Sequence, residues 1–159
     1  VRVLGIDPGQ AGAYALVGEN VKPLAEPFPT RSGAINWPEV YTDWKCLAPD
    51  VFVLELPQAM PKMSRSSSMH FGQACGLLEG IALSLCIETG ARLERIQPQA
   101  WKRLVLAGTA RDKEAAIAWA VRAFPGISLV RPGCRKAHDG MADALAIADY
   151  GRRTFGAKA

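Results

Sequence analysis

Four apolar residues in a row, Val51-Phe52-Val53-Leu54, stand between the helix-stopping Ala48-Pro49-Asp50 and a single acid, Glu55. A strand with polar residues at alternate positions covers one face of a sheet and leaves the other to water. A strand over Val51 to Leu56 with apolar side chains on both sides needs cover on both faces, which places it inside a layered α/β structure. The preceding runs agree. Val1 to Ile6 and Ala11 to Val17 are strand-like, parted by Asp7-Pro8-Gly9. Pro8 fixes φ and Gly9 permits a positive one, so the turn there is tight. A weaker third strand is expected over Val21 to Leu24, held to a sheet edge by Pro23. Pro27 to Asn36 reads as loop. Trp37 to Leu47 reads as a helix, with Pro38 in its first turn and Val40, Trp44 and Leu47 at helical spacing.

The second half alternates strand and helix. Leu56 to Ser67 is a polar loop rich in Pro, Ser and Met, and Ser68 to Thr89 a long helix with Gly72, Gly76 and Gly80 at every fourth position. That glycine ridge allows a very close neighbour, and packing on the chain's own sheet is the favoured reading. A strand over Arg92 to Ile96 follows, then a short helix opening at Pro98. An amphipathic helix spans Arg111 to Phe124, a basic loop Ile127 to Ala137, and a last helix His138 to Arg153. Short connections make the first three strands antiparallel neighbours, and helical crossovers make the later ones parallel. The expected architecture is one domain over residues 1–159: a mixed five-stranded sheet, three antiparallel strands then two parallel, flanked by helices.

Charge narrows the partners. The formal net charge is only +4, but Arg92 to Lys136 holds ten Lys and Arg against three acids, a net +7. A basic segment beside an acidic site suits a polyanion held close to carboxylates; a solvated basic face is the plainer alternative. Cys46, Cys75, Cys86 and Cys134 are scattered, with no CxxC and no Cys/His spacing for zinc. Three of them lie in apolar surroundings, the pattern of a reducing cytoplasm. The first apolar run breaks at Asp7-Pro8, unlike a signal peptide, and Gly80 to Ile87, between Glu79 and Glu88, is too short to span a bilayer. No membrane partner is expected.

Four acids interrupt apolar sequence: Asp7 and Glu55 at strand ends, and Asp139 and Asp143 a turn apart on one helix face. Brought together they repel unless cations neutralise them, and an all-oxygen donor set suits Mg²⁺ or Mn²⁺ over zinc. Two such ions, about 3.5–4 Å apart, clamp the attacking and leaving oxygens of a displacement at phosphorus. Three of them also have a plain reading. Asp7 can serve its turn, Asp139 can be an N-cap, and Asp143 can be solvated.

In order and spacing these residues resemble the RuvC-type Holliday junction resolvases of the RNase H-like superfamily, in particular bacteriophage versions. Gly5-Ile6-Asp7-Pro8-Gly9 resembles the opening acidic strand and Leu54-Glu55 the second acid. Phe71-Gly72-Gln73-Ala74-Cys75-Gly76 resembles the helix motif after the junction-reading loop, and Asp139-Gly140-Met141-Ala142-Asp143-Ala144-Leu145-Ala146 the C-terminal acidic helix. The resemblance spans nearly the whole chain. It implies an RNase H-like fold and a crossover junction endodeoxyribonuclease serving DNA recombination and repair. It also implies a homodimer on four-way DNA, two Mg²⁺ per site with Mn²⁺ as substitute, and work in the cytoplasm, the host's if the chain is phage-encoded. Asp7, Glu55, Asp139 and Asp143 match the catalytic metal ligands; Lys102 and Lys113 match lysines that meet DNA. The last two acids are four apart rather than three, so His138 and Gly140 compete with Asp139 for the third position, which we assign to Asp139. In the loop after Glu55 the bacterial enzymes carry an aromatic wedge. Here stand Gln58, Met60, Pro61 and Met63, with Met60 and Met63 the wedge candidates and Lys62 and Arg65 facing phosphate. The long glycine-bearing helix resembles the dimer helix. Gly9 and Gly12 are expected to keep the hairpin bare for a phosphate, so that bulk at Gly12 harms turnover more than folding.

Three rivals remain. An actin-like ATPase or sugar kinase shares the opening hairpin but needs two such domains, more than 159 residues hold. A nuclease of the same superfamily acting on flaps or other branched DNA shares all four acids. A non-catalytic DNA-binding module has no use for them.

Overall fold

A computed structural model of the chain describes residues 1–9, 11–56 and 64–156. Strand β1 (Arg2–Asp7) pairs antiparallel with β2 (Ala13–Gly18), with Asp7 opposite Ala13. β2 pairs antiparallel with β3 (Leu24–Pro27). The third strand therefore starts where it was expected to end. Asn20 takes a positive φ of 59° and Pro23 has no N–H for the ladder, so pairing begins only after the proline. The stretch read as loop holds a small ribbon, β4 (Thr30–Arg31) and β5 (Ala34–Ile35). Ser32 and Gly33 between them both have positive φ, the backbone of a two-residue hairpin turn.

Helix α1 (Trp37–Leu47) has the bounds its spacing predicts. Strand β6 (Val51–Glu55) lies parallel to β1. Helix α2 (Arg65–Thr89) begins three residues before the expected Ser68, because Ser64 caps it by accepting the Ser67 N–H at 3.0 Å. Arg65 is thus on a helix, not in a loop. Strand β7 (Arg92–Ile96) lies parallel to β6, completing a sheet ordered β3-β2-β1-β6-β7. Helices α3 (Pro98–Val105), α4 (Lys113–Ala123) and α5 (Asp139–Phe155) follow. α4 starts after Asp112, whose Oδ1 accepts the Ala115 N–H at 2.8 Å.

The unbroken run in β6 splits between two cores. Val51 and Val53 join Val3, Trp101 and the apolar face of α5, while Phe52 and Leu54 join Leu4, Ile6, Trp44 of α1 and Leu78 and Leu85 of α2. Both faces of the central strands are therefore covered. α5 crosses β1 at Gly5, where an added Cβ would stand 2.4 Å from the Ala144 carbonyl oxygen and the Ala148 nitrogen. That backbone-to-backbone approach brings the start of α5 to the end of β1.

The glycine ridge of α2 does not pack on the sheet. A Cβ at Gly72, Gly76 or Gly80 would meet nothing within 4 Å, because the buried face runs through Cys75, Leu78, Ala82 and Leu85 instead. On the open side stand Leu77 and Leu83, each 40% exposed, and Ile87, 86% exposed. By length and composition alone α2, with a mean hydropathy of 1.3 in its most apolar window, is long and apolar enough to cross a membrane. The expectation from Gly80 to Ile87 looked at too short a stretch, since no acid occurs from Arg65 to Leu78. The apolar positions Leu78, Ala82 and Leu85 are used against the sheet. All four cysteines are free thiols, and Cys46 and Cys134 are exposed, so at most two have the apolar surroundings expected of three.

Candidate active site

The parallel strands β1 and β6 end side by side, on Asp7 and Glu55. α5 delivers Asp139 and, one turn later, Asp143 to the same end. These four carboxylates line one cleft of about 550 Å³, with Lys102 of α3 and Lys113 of α4 on its walls. Gly140 lets the parts meet, since a Cβ there would press to 2.9 Å on both the Ala11 carbonyl oxygen and Asp7 Oδ2. The turn before it is equally tight. Gly9 has φ of 128°, and the Gly12 N–H donates to the Gly9 carbonyl at 3.1 Å. A Cβ on Gly12 would fall 2.2 Å from the Asp7 carbonyl oxygen. Glycine at 12 is thus demanded by the hairpin's own backbone, so bulk there strains the fold itself, contrary to the expectation that folding would be spared.

The resemblance left His138, Asp139 and Gly140 competing for the third ligand position at the head of α5, and Gly140 has no side chain to donate. His138 is the N-cap: its buried Nδ1 accepts the Met141 N–H at 3.2 Å, and it lines a neighbouring cleft with Arg131 and Tyr14. Asp139, the first helical residue, lines the carboxylate cleft and is paired with Lys113. Arg65 is exposed on the first turn of α2, and Phe71 of that helix reaches the cleft. Gln58, Met60, Pro61, Lys62 and Met63 lie outside the described residues.

The acids carry unequal loads. Burial raises the Asp7 carboxyl well above the ordinary range; repulsion from Asp143, Glu55 and Asp139 adds to it, and Lys102 opposes. Asp143 is pushed up to about 7, first by burial; Glu55 and Asp139 add to the rise, and Lys102 and Lys113 oppose it. Burial also raises Glu55, against the Trp101 hydrogen bond and Lys102. Asp139 is held below its ordinary value, chiefly by its hydrogen bond from Lys113. Trp101, which sequence reasoning noted only as the neighbour of Lys102, donates its Nε1–H to Glu55 Oε2 at 2.9 Å. No periodicity announces that contact, because it depends on α3 folding back beneath β6.

Among the described residues no three His, Cys, Asp or Glu side chains already stand as a closed ion cage. Asp139 is turned to Lys113. The donor set nonetheless fits a hard divalent cation: every donor is a carboxylate oxygen, and a cation relieves the burial and repulsion that raise Asp7 and Asp143. Lys102 and Lys113 bring positive charge to the same cleft.

Among solved structures the chain is similar to the Thermus thermophilus RuvC structure, at 22% identity over 96% of each chain with a TM-score of 0.59. It is similar to T. thermophilus RuvC in complex with Holliday junction substrate at 21% identity, over 96% of this chain and 95% of that one, TM-score 0.59. It is also similar to the yeast mitochondrial Holliday junction resolvase Ydc2 at 15% identity, over 95% of this chain and 77% of that one, TM-score 0.57. No family model matches the sequence, and no curated protein matches it. At such identity the likeness is one of fold, and the fold is the RNase H-like one expected from the sequence.

Proposed function

We propose that this chain is a structure-selective endonuclease that resolves four-way DNA junctions by metal-dependent phosphodiester hydrolysis. The observation that carries the reading is the meeting of Asp7, Glu55, Asp139 and Asp143 with Lys102 and Lys113 around one cleft. Asp7, Glu55, Asp139 and Asp143 would hold two Mg²⁺ ions, with Mn²⁺ able to replace them. When bound, the ions supply Lewis acidity for displacement of the 3′-oxygen at phosphorus by water, leaving 5′-phosphate and 3′-hydroxyl ends. Lys102 and Lys113 bind non-bridging phosphate oxygens and stabilise charge that grows there. Arg65, with Lys62, adds phosphate contacts, and Met60 and Met63 serve as apolar wedges at an opened step.

Symmetric resolution needs two sites related by a two-fold axis. The open face of α2, bare at Gly72, Gly76 and Gly80 and apolar at Leu77, Leu83 and Ile87, supports a homodimer through that helix. The protein so read works on branched DNA in the cytoplasm, the host's if it is a phage version.

Cleavage of a synthetic four-way junction, a flap and a linear duplex with Mg²⁺, by the wild type and Asp7→Asn, tests the proposal. Paired symmetric nicks in the junction alone, lost in Asp7→Asn, are expected. Equal cutting of flap or duplex refutes junction selectivity and leaves a nuclease of other branched DNA. No cutting of any substrate refutes the enzyme.

A further inference from the structure

We propose that Trp101 is a positioning residue of the cleft, whose indole N–H fixes the Glu55 carboxylate for a divalent cation while the face of the same ring holds Lys102. The inference rests on the metal-site reading above and adds a residue to it that touches neither ion nor DNA.

Trp101 is fully buried, in the core that contains Val53, Ile96 and Leu106. Its ring cannot turn without displacing that core, so the donor direction is set by packing. The Nε1–H lies 2.9 Å from Glu55 Oε2. An indole nitrogen only donates, so this contact always orients the carboxylate the same way. Glu55 is the one glutamate among four carboxylates and has one more rotatable bond than an aspartate. It therefore has the most to lose in ordering and gains most from an anchor.

The charge of the anchor matters as much as its direction. Asp139 is held by the ammonium of Lys113, which cancels its charge. Trp101 is neutral, so it steadies Glu55 without pairing off its charge as Lys113 does for Asp139. On the ring face, Lys102 Nζ stands 5.2 Å from the Trp101 centroid, within cation–π range. One immobile side chain thus sets the distance between a metal-facing oxygen and a phosphate-facing ammonium.

Mn²⁺ titration of the protein without DNA, read as loss of the free-ion EPR signal, tests this independently of turnover. Two replacements are compared with wild type: Trp101→Phe, and benzothienylalanine at position 101, which keeps the bicyclic shape and puts sulfur where the N–H was. Leu106→Ala is the control, since it loosens the same core away from Glu55. Partners that orient metal ligands are worth about 10- to 100-fold in affinity, and a loss of that size is expected in both Trp101 variants and not in Leu106→Ala. The half-saturating Mg²⁺ for junction cleavage should rise in step. If Trp101→Phe fails to fold, the isosteric replacement decides alone. Unchanged Mn²⁺ affinity with benzothienylalanine, beside a loss in Asp7→Asn, overturns the role of Trp101 and spares the metal site. An equal loss in Leu106→Ala makes Trp101 merely structural and also overturns it. Unchanged affinity in Asp7→Asn overturns the metal-site reading and this inference with it.

Discussion

Replacing Asp143 by Asn should stabilise the metal-free protein while removing the proposed junction cleavage. The Asp143 carboxyl is moved from an ordinary 3.8 to about 7, so between those values the folded chain holds a proton that the unfolded chain has released. Unfolding then releases a proton, and stability falls as pH rises through that window. At pH 8 the loss is complete and amounts to roughly 4 kcal/mol; at pH 5 it is about 2 kcal/mol. Asn has no charge to bury and escapes both. For a chain of this size roughly 2–4 °C accompanies each kcal/mol, so Asp143→Asn should melt about 10 °C above wild type at pH 8 in EDTA. The gap should close by about half at pH 5. Asp7 and Glu55 are raised for the same first cause, burial, and steepen the wild-type profile in the same direction. Saturating Mg²⁺ should recover the wild type far more than the variant, because a ligand stabilises only the form that binds it. Thermal melts of both proteins at the two pH values, with EDTA and with Mg²⁺, make the measurement. A gap that ignores pH, or a variant less stable than wild type at pH 8 in EDTA, refutes the picture of a strained acidic cluster.

Lys102→Ala should weaken junction binding and lower the slope of log K against log salt by about 1, measured by fluorescence anisotropy across a salt series. An unchanged slope contradicts a phosphate contact. Gly5→Ala should cost about 1–3 kcal/mol in urea unfolding, because its methyl would meet the backbone of α5 at Ala144 and Ala148; a neutral outcome would mean that α5 does not lie so close to β1. In the proposed dimer, Leu83→Glu should shift sedimentation to monomer while the far-UV circular dichroism of the fold is kept, and a dimer that survives it removes α2 from the interface.

Much of this protein could be read in one dimension, for identifiable reasons. The run Val51 to Leu54 announced its two-sided burial because four adjacent apolar side chains necessarily face both ways along a strand. Trp37 to Leu47 kept its expected bounds because proline at the start and Ala48-Pro49 at the end leave little choice. Local signals failed where a cap or a ribbon depended on a few polar atoms. Ser64 lengthened α2, and Ser32-Gly33 turned a supposed loop into β4 and β5. The glycines of α2 misled more deeply. Spacing of four says that they share a face, but not which face the sheet takes, and the sheet took Cys75, Leu78, Ala82 and Leu85.

The four acids show the same division. Sequence alone determined their chemistry, an all-oxygen set at two strand ends and one helix start, and a strand–helix order that leaves few ways to arrange it. Only tertiary structure decided that α5 crosses β1 closely enough at Gly5 to bring Asp139 and Asp143 beside Asp7, and that His138 turns away as the cap. It alone set the charge states, because burial and mutual repulsion depend on distances in space. The Trp101 bond to Glu55, across 46 positions, likewise exists only once α3 has folded under β6.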